Sequence, residues 1–139
     1  MSVSFDLTGR KALVTGANTG LGQAIAVGLA QAGADIVAVG RSAPTETAVM
    51  VAETGRALHA IPADLSSIAP VADVVEQAVA AVGEIDILVN NAGIIRRADS
   101  IDFTEADWDA VMDTNLKTVF FLTQALARRW ITAGRGGKV

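Results

Sequence analysis

The 139 residues contain no cysteine, no tyrosine and a single histidine. Without cysteine there is no disulfide scaffold, thiolate metal site or cysteine nucleophile. One histidine, His59, leaves no His-rich zinc centre, so no metal is expected and His59 reads as a packing residue. No block of Lys or Arg occurs and the formal net charge is −4, which argues against a nucleic-acid partner. No run approaches the ~20 apolar residues needed to span a bilayer, so no membrane partner is expected. Residues 1–11 carry Asp6 and lack an apolar stretch, unlike a secretory signal. A cytoplasmic location is the resulting expectation.

What is abundant is small and apolar. Hydrophobic residues make up 51% of the chain and aromatics only 4%, so the content is mostly Ala, Val, Ile and Leu. Such side chains suit buried parallel strands covered by helices. Residues 11–15, 35–39, 57–61 and 85–89 are short apolar runs that read as strands. Between them lie helical patterns over 21–31 and 43–54, the second with Pro44 in its first turn. A third helix, capped by Ser66 or Ser67, buries Val71, Val74, Val75, Ala78, Val79 and Val82. A long helix opens at Thr104, with Asp107 placed for a capping-box-like contact. Its stripe is Trp108, Val111, Met112, Asn115, Val119, Leu122, Leu126 and Trp130, and Lys138-Val139 starts a fifth strand. Alternation of this kind predicts one α/β domain, a doubly wound parallel sheet with helices on both faces.

Thr15-Gly16-Ala17-Asn18-Thr19-Gly20-Leu21-Gly22 joins the first strand to the first helix. Its glycines permit a tight turn and close backbone approach, and the exposed amides at a helix start attract a diphosphate. No Gly-Lys-Ser/Thr follows, so it is not a P-loop. The residue ending the second strand separates the two nicotinamide dinucleotides. A carboxylate there binds the ribose 2′-hydroxyl of NAD, and a basic residue accepts the 2′-phosphate of NADP. Gly40-Arg41-Ser42 leaves room at the acidic position and offers a guanidinium and a hydroxyl, which favours NADP.

The glycine loop, Asp64-Leu65, Asn90-Asn91-Ala92-Gly93 and Asn115 occur in the order and spacing of the short-chain dehydrogenase/reductase family, which the whole chain resembles. The resemblance implies a Rossmann fold with a nicotinamide dinucleotide across the strand ends. Gly16, Asn18, Thr19, Gly20, Leu21 and Gly22 would hold the diphosphate. Asp64 and Leu65 would flank the adenine. Asn90, Asn91, Ala92 and Gly93 would line the ribose and nicotinamide side.

In that family a tyrosine exchanges a proton with the substrate oxygen, a lysine of a Tyr-x-x-x-Lys pattern lowers its pKa, and a serine orients the substrate. A phenol near pKa 10 needs such a cation to act as a base at neutral pH. The fourth member, a helix asparagine holding a water, corresponds to Asn115, here expected to be an amide within a buried stripe. The expectation is that residues 1–139 are the dinucleotide-binding Rossmann portion of a single-domain dehydrogenase, truncated before the serine, tyrosine and lysine and inactive alone.

Within the family, residues 90–108 and Pro44-Thr45-Glu46-Thr47 resemble the sugar-acid dehydrogenases, which implies a sugar-acid substrate and, against Gly40-Arg41-Ser42, NAD. Both cofactors stay open. Arg96 or Arg97 is the candidate partner of the substrate carboxylate. The resemblance also implies that the long helix packs on a second subunit, giving a homo-oligomer, a tetramer or dimer, of the full enzyme; the alternative is that its aromatics Trp108, Phe120, Phe121 and Trp130 pack under a C-terminal half. A non-catalytic dinucleotide-binding module is the alternative function. A methyltransferase on the same sheet leaves Asn90-Asn91-Ala92-Gly93 and Asn115 without a role.

Overall fold

A computed structural model describes residues 2–139. Four strands, β1 (Lys11–Thr15), β2 (Asp35–Gly40), β3 (Leu58–Pro62) and β4 (Ile87–Val89), form one sheet in the order β3-β2-β1-β4. Every pairing is parallel. Helices α1 (Gly20–Gln31), α2 (Thr45–Glu53), α3 (Val71–Val82), α4 (Glu105–Met112) and α5 (Thr118–Thr132) supply the connections.

Alternation along the strands divides the core in two. Leu13, Val37, Val39, Ile61 and Leu88 face α3 and α5, where Val74, Val75, Leu122, Leu126 and Trp130 meet them. Ala12, Val14, Ile36 and Ala38 face the other way, against Ala26, Ala30 and Val51 of α1 and α2. That second layer is built largely from alanine, so α1 lies close to the sheet and its N-terminus comes up beside the end of β1. Gly33, at φ 110°, reverses the chain after α1.

Several boundaries depart from the sequence pattern. The second helix starts at Thr45, not Ala43, and Pro44 stands before it at the cap position. Neither Ser66 nor Ser67 caps α3, which begins at Val71 after Pro70. The Ser67 hydroxyl instead accepts from the Ala69 amide, and the Ser66 amide donates to Asp64. Ile85 and Asp86 precede β4, and the third strand is shifted one residue onward, to 58–62.

The long helix is the largest departure. Thr104 does cap it, accepting from the Asp107 amide at 3.1 Å. Between α4 and α5, however, Asp113–Lys117 forms a π turn. An uninterrupted helix would place Trp108 and Leu122 within about 40° of one face. The extra residue that a π turn accommodates moves them to roughly opposite sides. Leu122, Leu126 and Trp130 are therefore buried while Trp108 stands 59% exposed. Asn115, expected within the buried stripe, is exposed on the π turn.

After α5 the chain folds back onto β4. The Trp130 indole donates to the Ile85 carbonyl at 2.7 Å, and Arg135 pairs with Asp86. The Lys138 amide donates to Asp86 O at 3.0 Å, and Lys138 O accepts from Leu88. A parallel bridge between Ile87 and Lys138 results, at the place where the pattern predicts a fifth strand. Among the described residues, no helix is long and apolar enough to cross a membrane.

Candidate functional site

Parallel strands deliver all their carboxyl ends to one edge of the sheet. The glycine loop, residues 40–42, residues 63–66 and Asn91–Gly93 meet there. They enclose a cleft of about 490 Å³.

Thr15, the last residue of β1, ties two of these segments together. Its buried hydroxyl accepts from the amides of Asn91 (3.0 Å) and Ala92 (2.9 Å) and donates to Val89 O at 3.4 Å. From the other side, the Asn91 carboxamide donates to Thr15 O (3.0 Å) and Gly16 O (3.2 Å). The glycine loop and the Asn90–Gly93 turn are thus fixed to one another. Two glycines are required for geometry. Gly16 has φ 65°, a left-handed conformation that favours glycine. A Cβ on Gly22 would collide with Gly16 O and with the Asn91 carboxamide.

The amides from Ala17 to Gly22 donate to no backbone carbonyl among the described residues, whereas Gly16 N is taken by Val39 O and Gln23 N by Thr19 O. A row of free N–H groups at a helix start beside the cleft is an anion cradle. The carbonyls of this loop are held from below. Thr47, fully buried, donates to Ala17 O at 2.7 Å and accepts from Gln23 Nε2 at 3.1 Å.

The predicted residues mostly converge. Gly16, Asn18, Thr19, Leu21, Gly22, Arg41, Ser42, Asp64, Leu65, Asn91, Ala92 and Gly93 all line the cleft. Gly20 does not, and serves the turn with φ 57°. Asn90 points elsewhere, donating to Thr123 Oγ1 on α5 at 3.1 Å. Asp64 is exposed, and the Ser66 amide and hydroxyl together with the charge of Arg41 hold its carboxyl below the usual range against slight burial. Arg41 makes no ion pair among the described residues.

Asn115 and Arg96 border a second cavity of about 920 Å³, between residues 94–104 and α4. Asn115 uses its whole amide on one residue, with Oδ1 accepting from Ile94 N and Nδ2 donating to Ile94 O, both at 2.8 Å. The π turn aims it at that backbone. Arg96 lines both cavities and pairs with Asp107 at 3.3 Å. Arg97 lines neither, so the two arginines are not brought together. Among the described residues no group of three acidic or histidine side chains could hold a metal.

The pattern of residues alone does not single out Thr15, Gln23 or Thr47 as site residues. Thr15 adjoins Gly16, which is a signal of sorts. The other two act on backbone atoms that only the fold brings near.

The family profile described as short chain dehydrogenase matches residues 10–139. The 2-dehydro-3-deoxy-D-gluconate 5-dehydrogenase of Dickeya dadantii is 54% identical over 136 residues, 98% of this chain and 54% of that protein. The Escherichia coli protein of the same name is 52% identical over the same shares. A crystal structure from Agrobacterium tumefaciens, described as a 2-deoxy-D-gluconate 3-dehydrogenase with bound NADP, superposes with a TM-score of 0.88 at 54% identity, covering 99% of this chain and 54% of that one. The chain therefore spans about half the length of the curated relatives it matches. It belongs to the short chain dehydrogenase family.

Proposed function

We propose that residues 1–139 form the dinucleotide-binding part of an NAD(P)-dependent oxidoreductase acting on a sugar acid of the 2-deoxy-D-gluconate or 2-dehydro-3-deoxy-D-gluconate type. The observation that carries the dinucleotide reading is the row of unclaimed amides from Ala17 to Gly22 at the start of α1, opening on a cleft in which glycine is sterically required. Arg41 and Ser42 border the same cleft and favour NADP, the nucleotide bound in the Agrobacterium structure; NAD is the alternative. Asp64 and Leu65 flank the adenine side, and Asn91, Ala92 and Gly93 the nicotinamide side. A bound dinucleotide would supply or accept a hydride.

The residues here bind and orient. The chain has no tyrosine, and Asn115 is the one member of the family's proton machinery it carries. Its amide fixes the Ile94 backbone, which sets the wall shared by the cofactor cleft and the neighbouring cavity. Arg96 and Arg97 are the candidates for the substrate carboxylate, and Arg96 has the better position because it borders both spaces. The protein is proposed to act in the cytoplasm as a homotetramer joined through α4 and α5.

Titrating the purified protein with NADPH and with NADH tests the core of this reading. Saturable binding of NADPH, tighter than NADH, is expected, and binding of neither overturns it. For the substrate, Arg96→Ala and Arg97→Ala of the full-length gene product are compared on the sugar acid and on its neutral sugar analogue. A raised KM for the acid alone identifies the carboxylate partner, and equal effects on both compounds exclude it.

A further inference from the structure

The Pro44-Thr45-Glu46-Thr47 segment does not line the cleft, yet its Thr47 is fully buried and bonded to the glycine loop. We infer that Thr47 is a positioning residue that aims the amides of the glycine loop, and that it links the arginine turn after β2 to the diphosphate cradle. The inference rests on the dinucleotide reading above and goes beyond it.

In a trans peptide the carbonyl of one residue and the N–H of the next point in opposite directions. No cis peptide occurs among the described residues. Thr47 Oγ1 donates to Ala17 O at 2.7 Å and lies 3.5 Å from Asn18 O. Gln23 Nε2 is also 3.5 Å from Asn18 O. Holding these two carbonyls against α2 turns the N–H groups of Asn18 and Thr19 away from α2, toward the cleft that both residues line. Left free, the two planes could rotate and present carbonyl oxygens, which repel an anion. Gln23 completes the arrangement. By donating to Thr47 Oγ1 at 3.1 Å it occupies a lone pair of the hydroxyl and leaves the proton for Ala17 O.

Thr47 reaches this position because α2 starts at Thr45, directly after Pro44. The segment that carries Arg41 and Ser42 is therefore covalently continuous with the helix that supports the loop. A 2′-phosphate drawn to Arg41 and a diphosphate drawn to the loop are registered through one buried hydroxyl.

The test uses the purified full-length gene product and two probes, NADPH and adenosine 2′-monophosphate, the second of which lacks the diphosphate. Thr47→Val keeps the shape and removes the hydroxyl. It is expected to weaken NADPH binding by about tenfold while leaving adenosine 2′-monophosphate within about twofold of wild type, and Thr47→Ser should restore NADPH binding. Thr47→Val that binds NADPH as wild type does, or that loses both probes equally, overturns the inference. Should Thr47→Val fail to fold, Gln23→Ala decides: a loss confined to NADPH supports the positioning role, and unchanged or equal losses exclude it. Wild-type protein that binds no NADPH sinks the dinucleotide reading and this inference together, whereas failure of the variants alone sinks only the inference.

Discussion

Single atoms define the site more sharply than side-chain types do. At Gly22 one added methyl meets the Gly16 carbonyl and the Asn91 carboxamide, both held by other bonds. Gly22→Ala should therefore lower stability by about 1–3 kcal/mol, the range for overpacking, and abolish nucleotide binding. Denaturant melts and an NADPH titration check both parts, and a variant that binds normally would show that the loop yields. Asn115→Ala deletes the two bonds to Ile94. At roughly 0.5–1.5 kcal/mol each, the loss should be about 1–3 kcal/mol, read from the unfolding midpoint. The glycines are legible in the sequence because their spacing is short-range and their chemistry restrictive, whereas Asn115 is marked only by the family resemblance and the helical pattern misplaces it in a buried stripe. Thr15 and Thr47 are not, because a hydroxyl's partner is a matter of three-dimensional approach. Thr47 reaches Ala17, and Thr15 reaches Asn91, only after the sheet has formed.

Elements follow the apolar pattern where one face is enough to define them. The four strands and α1 and α3 lie within a few residues of their expected places. The long helix does not, since hydrophobic period carries no mark of an inserted π turn, and the phase beyond Asp113 differs from that of a continuous helix. Pro44 likewise fits a first helical turn or the cap before it, and only the chain's path from Arg41 decides.

Ion pairs join the ends of these elements in ways that pH can read. Asp35, opening β2, is bonded by Arg56 (2.8 and 3.0 Å) and by the Ala57 amide at 3.1 Å. Partial burial pushes its carboxyl up, but these bonds and the charges of Arg56 and Lys11 outweigh it, so the folded pKa lies below 3.8. The stabilisation is thus fully present above the unfolded value and is lost as pH falls below 3.8 toward the folded one. Asp35→Asn should flatten the acid limb of stability below pH 3.8, measured as the denaturant midpoint. An unchanged limb would assign the acid sensitivity to other carboxylates. At the start of α4, Thr104→Ala removes the cap bond to Asp107 N and should cost about 1 kcal/mol.

For the whole molecule, the outward side of α4 and α5 is conspicuous. Trp108, Leu116, Phe120 and Ile131 are each more than half exposed, and Phe120 stacks edge-on with Phe121 at 5.2 Å. A row of large apolar groups of this kind fits a subunit contact. Phe120→Asp should shift the protein to smaller species in sedimentation without abolishing nucleotide binding. An unaltered assembly would place the contact elsewhere. The parallel sheet is implicit in the βα alternation, whereas the strand order and the phase of α4 on this surface come into view only with the structure.

The single carboxamide of Asn91 grips both Thr15 and Gly16, so the two banks of the cleft cannot part like jaws. A nucleotide entering this cleft is therefore expected to meet an open, preformed trough. Rapid mixing with NADPH should show one phase whose rate rises linearly with concentration, with no plateau. A plateau would reveal a gating step that the rivet at Asn91 forbids.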